Sequence, residues 1–411
     1  MNTQQFALAA LLVMSSIACK TTHPASRPTT FGDDLAFLKH HADTVVLSDA
    51  KGEAQVALVP AWQGRVMTST SGGAQGLSHG YLHRDRIAAK EPTEHINVFG
   101  GEDRFWIGPE GGQFSVFFAP GARFELADWY TPAALDTEAF ELVESARDHA
   151  LLRKRMQLRN WSGTSFDLEV TREVRLRDAN QVLASMRVDL PSGVRGVAFE
   201  SLNTVANIGK AAWKKDTGLL SIWILGMFRA SNAATVIVPF QTGPESARGP
   251  IVNDAYFGKV PADRLKVDEA KGLLYFKADA KHRSKLGVGP KRAQDVLGSW
   301  DPASGVLTLV QFSLPRNPGE YVNSLWKHQD DPYGGDVVNS YNDGPSTPGG
   351  KGFGHFYELE TSSPALALKP GERATHAHRT LHLSGDVAGL EQIAQRVLGA
   401  HLGDLATFAH P

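Results

Sequence analysis

The densest group of side chains that could do chemistry lies between residues 95 and 118. This stretch, HINVFGGEDRFWIGPEGGQFSVFF, holds one histidine (His95), three acids, one arginine, one tryptophan and five glycines before it becomes an alternating strand. Glycine lets backbone approach a ligand closely, while Arg104, Glu110 and Trp106 are residue types that bind sugars or anions. A solvated loop between two strands can have the same composition. We interpret the stretch as a binding or catalytic loop.

The acids of this stretch could also supply the paired carboxylates that glycosidic chemistry needs, and they are Glu102, Asp103 and Glu110. Arg104 and Trp106 could contact a sugar, with the indole stacking on an apolar sugar face. The structural alternative is a buried arginine beside a core tryptophan.

Two further clusters contain residue types that can bind metal ions. The first is an oxygen-rich set that would suit calcium but matches no EF-hand loop and is also common turn chemistry: Asp330, Asp331, Asp336, Asn339, Asn342 and Asp343. The second is His376, His378 and His382, which share a strand face and could bind zinc. For these histidines we favour a polar outer face of the last strand. We therefore predict no metal and no cofactor.

Composition narrows the class of protein. The chain has 411 residues, of which 42% are hydrophobic and 21% charged, and these are the values of a globular protein. A formal net charge of -2 gives no electrostatic reason to expect binding to nucleic acid or to an anionic membrane surface. With 40 Gly and 22 Pro, turns are frequent, which favours β architecture over a helical bundle.

The N-terminus predicts export. Residues 6–18, FALAALLVMSSIA, form an apolar run too short for a membrane span but typical of a signal peptide. Ser-Ile-Ala-Cys at 16–19 resembles a lipobox, although Ser16 replaces the usual Leu and MNTQQ carries no basic residue. We predict a lipoprotein-type signal peptide at 1–18, lipidation of Cys19 and a tether over 19–30. The residue after Cys19 is Lys20 and not the Asp that favours retention in the inner membrane. We therefore expect an outer-membrane lipoprotein facing the periplasm.

A plain secretory signal cleaved near Ala18 is the alternative, and it would give a soluble periplasmic or secreted protein. Cys19 is the only cysteine, so no intramolecular disulfide and no further thiol is expected in the mature chain.

Patterning along the chain predicts mostly strands with a helix near each end. Residues 33–41 and 384–399 have helical spacing, and Gly399 would stop the second helix. The apolar run 218–228 predicts a buried strand, and 151–176 predicts two strands joined at Asn160–Gly163. Residues 317–355 are irregular and aromatic-rich, as functional loops are. We predict one domain over 31–399 and a tail over 400–411.

A family resemblance is carried by two motifs. Tyr357–Thr361 (YELET) followed by Leu368–Glu372 (LKPGE) resembles the closing strand and turn of the galactose mutarotase-like (aldose 1-epimerase) superfamily. GGEDRFWIGPEGGQ is similar to a glycine-rich segment of epimerase-like proteins. The likeness spans most of residues 31–383, and it implies an all-β fold, a large antiparallel β-supersandwich with short N- and C-terminal helices. A closer likeness is to bacterial lipoproteins that carry the FGGEDRFW and NSYNDG runs.

The resemblance also implies a mechanism. Glu360 matches the catalytic base, which takes the anomeric hydroxyl proton while an acid protonates the ring oxygen. The family usually supplies a histidine acid from a mid-chain segment, and the matching residues 199–204, FESLNT, contain none. His95 and His355 are the available acids, although alternation places His355 opposite Glu360 unless the chain turns at Gly354. Asn203, Asn342, Asp343 and Glu358 complete the predicted substrate-binding set, with Arg104, Trp106 and Glu110.

These observations predict an exported, epimerase-like protein that acts on or binds a sugar in a cleft; as an enzyme it would be an aldose 1-epimerase-like isomerase. One alternative is a non-catalytic carbohydrate-binding lipoprotein. Another is a polysaccharide lyase or glycoside hydrolase of the same fold, using the acids of 102–110 and the 317–355 loop. The expected partner is a carbohydrate, with membrane contact only through the N-terminal lipid anchor and no nucleic acid.

Overall fold

The computed structural model describes residues 29–89, 91–317, 319–345 and 349–409. The predicted signal peptide, Cys19 and the predicted tether apart from Thr29 and Thr30 lie outside the described residues. Within the described ranges, no helix combines the length and the apolar character needed to cross a membrane.

Short helices flank and interrupt a β structure. They are α1 Phe31–His41, α2 Arg84–Ala88, α3 Ala133–Asp136, α4 Ala179–Ser185, α5 Glu245–Arg248, α6 Val387–Leu398 and α7 Leu402–Ala409, with 3₁₀ turns at Pro60–Trp62, Gly73–Gln75 and Leu126–Asp128. Thr30 begins α1 with a capping box, in which its side chain accepts from the Asp33 amide and the Asp33 carboxylate accepts from the Thr30 amide. Gly399 ends α6 in the left-handed conformation, as predicted.

Eighteen strands are present in the described chain. They are β1 Val45–Ser48, β2 Gln55–Val59, β3 Arg65–Thr70, β4 Arg104–Gly108, β5 Glu141–Ser145, β6 His149–Arg159, β7 Ser165–Arg177, β8 Val194–Asn207, β9 Ser221–Arg229, β10 Thr235–Pro239, β11 Leu265–Asp268, β12 Leu273–Lys277, β13 Ser284–Val288, β14 Val296–Asp301, β15 Val306–Phe312, β16 Val338–Asn342, β17 Phe356–Ser362 and β18 Arg373–Gly385.

The strands form three antiparallel sheets. A ten-stranded sheet has the order β11-β12-β10-β14-β15-β18-β8-β7-β6-β5, a five-stranded sheet has the order β13-β16-β17-β9-β4, and β1-β2-β3 form a third. Every pairing between these strands is antiparallel. The predicted all-β, antiparallel fold class is therefore confirmed.

The five-stranded sheet packs one face on the large sheet. Phe105 of β4 and Ile224 of β9 share a hydrophobic cluster with Val170 of β7 and Phe199 of β8. Because side chains alternate along a strand, the residues between them point to the other face of the five-stranded sheet. β9 is buried on both faces, which explains its unbroken apolar sequence.

The chain closes with two helices on the large sheet. Leu390 and Ile393 of α6 pack in one cluster with Leu402 and Leu405 of α7. The region predicted as a tail, 400–411, thus contains a helix that joins the core through Leu402 and Leu405.

A polar layer lies inside the sandwich. The sequence interpretation placed His376, His378 and His382 on an outer face, and this is wrong, because all three are buried. His376 and His378 each bond the Thr361 hydroxyl, and His382 bonds the Glu102 carboxylate at 3.0 Å. The polar sequence of the last strand did not show that these side chains point inward, because their hydrogen-bond partners lie in parts of the chain that are distant in sequence.

The same layer contains a fully buried ion pair between Arg172 of β7 and Asp103. Arg172 also donates to the Gly64 carbonyl and to Asn203, and Asp103 also accepts from the Ser201 hydroxyl. The pair therefore ties the large sheet to the connection that enters β4.

We expect Arg172→Met to lower the free energy of unfolding by about 3–5 kcal/mol, because it leaves the Asp103 charge buried without its partner. Urea denaturation measures this. The control is Arg155→Met on β6, whose side chain is 72% exposed and whose ion pair with Glu169 should contribute less than about 1 kcal/mol. Equal losses in the two variants would contradict the assignment.

Candidate functional site

A cleft lies on the face of the five-stranded sheet that is turned away from the large sheet. One row of facing residues crosses four strands, with Met227 opposite Glu358, Glu358 opposite Tyr341, and Tyr341 opposite Lys285. Trp106 lies opposite Trp223 in the neighbouring pair of strands. Strand register therefore brings Trp106 and Glu358, which are 252 positions apart in the chain, onto one sheet face.

The cleft is open to solvent at its mouth. Its walls come from the sheet face and from loops that fold over it. The lining residues are Ile96, Val98, Arg104, Trp106, Glu110, Leu126, Trp129, Trp223, Leu225, Met227, Phe257, Arg283, Lys285, Trp326, Tyr341, Phe353, Phe356 and Glu358. A largely aromatic wall with a few charged groups is typical of a small-molecule site.

Four tryptophans form one side of the cleft. Trp106 contacts Trp223 edge to face with ring centres 5.2 Å apart, and Trp129 stacks on Trp326 at 5.7 Å. The indole nitrogens of Trp106 and Trp129 are buried without a hydrogen-bond partner in the described chain. These two N–H groups are buried within the wall, so the wall presents mainly apolar ring surface to the cleft.

Glu360 lies directly beneath this cleft. One oxygen of its carboxylate accepts from Lys285 Nζ at 2.9 Å and from Trp223 Nε1 at 3.0 Å, and both donors belong to lining residues. The other oxygen, Oε1, has no partner in the described chain. Glu360 is on the same sheet face as Glu358, as their spacing predicted, but it is fully buried and does not line the cleft.

Glu358 and Glu110 are the two carboxyl groups that do line the cleft. Neither carboxyl group forms a hydrogen bond or an ion pair with another described residue. Burial, reinforced by the charge of Glu360, raises the pKa of Glu358 to about 8, although Arg104 and Lys285 oppose this shift. Burial also raises the pKa of Glu110, against the charge of Lys285. Two available carboxyl groups with raised pKa values are suited to proton transfer near neutral pH.

Two arginines complete the polar lining. The Arg104 guanidinium stacks on Trp106, with its central carbon 3.7 Å from the ring centre. Arg283 lies over the Phe257 ring at 4.2 Å and near the Phe353 ring at 5.5 Å. Among the predicted residues, the structure therefore brings Arg104, Trp106, Glu110 and Glu358 together in one cleft.

The two histidines predicted as catalytic acids do not line the cleft. His355 is exposed, just before β17. His95 lies behind the tryptophan wall, where its Nδ1 bonds the Trp129 carbonyl at 2.7 Å. Neither ring is placed to protonate a ligand in the cleft.

Three predicted binding residues are also used elsewhere. Asn203 belongs to the polar layer, where it accepts from Arg172. Asn342 donates to the His282 carbonyl and supports the turn before β13. Asp343 accepts from the Tyr341 hydroxyl at 2.7 Å and from the Gly354 amide, so it positions one lining residue without lining the cleft itself.

The remaining acids also have internal partners. Glu102 bonds Ser69 and His382, and Asp103 pairs with Arg172, so of the three acids at 102–110 Glu110 alone lines the cleft. Asp336 accepts from Asn253 and from the Tyr256 hydroxyl. Across the described ranges, no group of three His, Cys, Asp or Glu side chains is arranged to hold a metal ion.

Sequence reasoning missed Lys285, Arg283, Trp223 and Tyr341. Two of these lie in segments predicted only as strands, SKLGVGP and GLLSIWILGMF. A signal was present, since Lys285 is a lone charge in an otherwise apolar strand and such a charge needs a buried partner. The partner, Glu360, is 75 residues away and could not be identified from sequence.

The sequence matches, over residues 29–409, a family described as Family of unknown function (DUF6786). No curated protein sequence matches it. Similar solved structures include the Slr1438 protein from Synechocystis sp. PCC 6803, with 15% identity, a TM-score of 0.49, and coverage of 84% of this chain and 96% of that one.

A galactose mutarotase-like protein from Lactobacillus casei ATCC 334 is similar at 9% identity and a TM-score of 0.44, covering 84% of this chain and 100% of that one. A galactose mutarotase related enzyme from Lactobacillus acidophilus is similar at 8% identity and a TM-score of 0.44, covering 84% and 97%. These matches say nothing about activity, and we transfer no functional residue from them.

We expect Glu358→Gln to stabilise the protein by an amount that grows with pH. The folded chain keeps the Glu358 proton up to pH about 8, whereas the unfolded chain loses it above its ordinary pKa of 4.5. The wild type should therefore lose up to ~1.4 kcal/mol of stability for each pH unit in this window, and the glutamine variant should not. Melting temperatures of both proteins from pH 4.5 to 8.5 measure the difference.

The control for this comparison is Glu269→Gln, at an exposed turn residue. A difference between Glu358→Gln and wild type that stays constant from pH 4.5 to 8.5 would contradict the raised pKa.

Proposed function

The chain belongs to the DUF6786 family, and from the chemistry of its cleft we propose that it binds a sugar and interconverts the two anomers of that sugar. The observation that carries this proposal is the pair of unpartnered carboxyl groups, Glu358 and Glu110, in a tryptophan-walled cleft. Their raised pKa values and their access to the cleft support roles in proton transfer.

The tryptophan wall supports a sugar as the ligand. A pyranose has one apolar face of C–H groups and a rim of hydroxyl groups. The apolar face would pack against the tryptophan wall, while the hydroxyl groups would meet the carboxyl groups of Glu358 and Glu110.

Glu358 and Glu110 would divide the proton transfers between them. Glu358, protonated at neutral pH, donates to the ring oxygen, and ionised Glu110 accepts the proton of the anomeric hydroxyl. The bond between the anomeric carbon and the ring oxygen breaks, and the anomeric carbon becomes an aldehyde. Rotation about the adjacent carbon–carbon bond presents its other face, and the reverse proton transfers close the ring. The overall reaction is an isomerisation, with no net gain or loss of protons.

Glu360 acts in this proposal as a positioning residue. Its bonds to Lys285 and Trp223 fix two lining side chains, and its charge raises the pKa of Glu358. The sequence motif assigned the base to Glu360. We assign proton transfer instead to Glu358, two residues earlier on the same face, and to Glu110, because these groups reach the cleft.

A glycoside hydrolase would also use two carboxyl groups. We favour anomer interconversion because the sequence resembles the galactose mutarotase-like superfamily at both motifs that meet in the cleft. GEDRFW contributes Arg104 and Trp106, and YELET contributes Glu358.

We further propose, from the sequence, that the protein acts after export as a lipoprotein of the outer membrane. The support is the apolar run 6–18 followed by Ser-Ile-Ala-Cys at 16–19.

We expect Glu358→Gln and Glu110→Gln each to slow anomer exchange by roughly 10²–10⁴-fold, which is the usual contribution of a general acid or base. Two-dimensional NMR exchange spectroscopy on α and β sugars, with glucose, galactose and their uronates as substrates, measures the rates. Glu269→Gln is the matched control. Exchange at the wild-type rate in both cleft variants would refute the assignment, and release of reducing ends from a glycoside would favour a hydrolase.

Glu360→Gln separates positioning from direct catalysis. If Glu360 is a positioning residue, Glu360→Gln should slow anomer exchange less than Glu358→Gln or Glu110→Gln does. The exchange rate should also begin to fall at a lower pH on the alkaline side of its pH profile, because the charge that raises the Glu358 pKa is gone. If Glu360→Gln slows exchange more than Glu358→Gln does and leaves the pH profile unshifted, Glu360 is the catalytic base, as the sequence motif predicted.

For export, we expect Cys19→Ser to abolish incorporation of labelled fatty acid and to move the protein from the membrane fraction to the soluble fraction of the cell envelope. Equal labelling of wild type and variant would contradict lipidation at Cys19. Soluble wild-type protein in the periplasm would favour the plain secretory signal.

A further inference from the structure

Arg104 is the cleft residue whose chemistry the proposed reaction leaves unused. Its side chain is buried, with 3% of the residue exposed, and it makes no hydrogen bond or ion pair with any other described residue. Its Nε lies fully buried without an acceptor. An arginine carries five donors and a permanent charge, so leaving all of them unused in a buried site is costly.

Other buried arginines in this chain have acceptors. Arg172 donates to Asp103, to Asn203 and to a carbonyl, and Arg292 donates to three backbone carbonyls. Arg65 donates to the Gly100 carbonyl and to Gln63. These buried arginines thus have acceptors within the fold, whereas the described residues supply none to Arg104.

The charged groups around Arg104 form no ion pair with it in the described chain. Lys285 and Glu360 form an ion pair at 2.9 Å and cancel each other. Glu358 keeps its proton at neutral pH because burial raises its pKa to about 8. Glu110 and Asp136 lie near enough to act electrostatically on Arg104, but neither forms a hydrogen bond or an ion pair with it. A neutral sugar would leave the Arg104 donors without a charged acceptor.

We propose that the sugar bound in the cleft carries an oxyanion, namely a carboxylate, phosphate or sulfate group, and that Arg104 binds it. This inference rests on the proposed function, since it names the class of sugar for the same site. Stacking on Trp106 holds the guanidinium plane, which leaves its N–H edge available for a bidentate contact with the oxyanion. Arg283, which also lines the cleft, adds to the positive potential that attracts the ligand.

The test uses pairs of sugars that differ only in charge. Glucuronate is compared with glucose, galacturonate with galactose, and glucose 6-phosphate with glucose, by calorimetric titration and by NMR anomer exchange. We expect at least one anionic member to bind about tenfold or more tightly than its neutral partner, because hydrogen bonds to charged groups are the stronger class. The uronate and phosphate arms show which oxyanion the site accepts.

Variants assign the preference to Arg104. Arg104→Gln should remove the preference for the anion, while Arg104→Lys should keep part of it, because a lysine retains the charge without the bidentate geometry. Arg155→Gln, at an exposed site, is the control, and melting curves show that each variant is folded. A preference that survives in folded Arg104→Gln would overturn the assignment.

The two proposals fail in different ways. If neutral and anionic members of every pair bind and exchange equally, the oxyanion is refuted while anomer interconversion stands. If no sugar of either kind binds or exchanges faster than in buffer, both are refuted.

Discussion

The ion pair between Lys285 and Glu360 is the contact on which the cleft depends. It joins β13, at the edge of the five-stranded sheet, to β17 at its centre, and Trp223 adds a bond from β9. Both charges are buried, so each requires the other. Through its bonds to Lys285 and Trp223, Glu360 holds two of the side chains that line the cleft. The charge of Glu360 also raises the pKa of Glu358. One contact therefore controls both the shape of the site and its protonation.

Much of the fold could be predicted from local patterns. The frequent turns, the alternating strands and the helix that ends at Gly399 each depend on neighbours in sequence, and each was confirmed. The direction of a polar strand face could not be predicted in the same way. His376, His378 and His382 point inward because Thr361 and Glu102 offer partners there, and nothing within β18 encodes those partners.

The candidate site, too, could be predicted only in part from sequence. Spacing alone placed Glu358 and Glu360 on one face, and composition marked Arg104, Trp106 and Glu110. Glu358 reaches the cleft and Glu360 does not, because Trp223 of β9 and Lys285 of β13 cover the Glu360 carboxylate. The family resemblance implied a histidine as the acid. Burial beside a second carboxylate instead raises the pKa of Glu358 to about 8, and burial is a property of the folded chain.

The order of strands in the five-stranded sheet has a consequence for synthesis of the chain. β17 pairs with β9 on one side and β16 on the other, yet it is the last of the five to leave the ribosome. Without β17, the pairs β13–β16 and β9–β4 have no strand between them, and Glu358 is absent. The complete floor of the cleft can therefore form only after β17 is synthesised, and a shortened chain that stops before residue 356 would lack the centre of that floor.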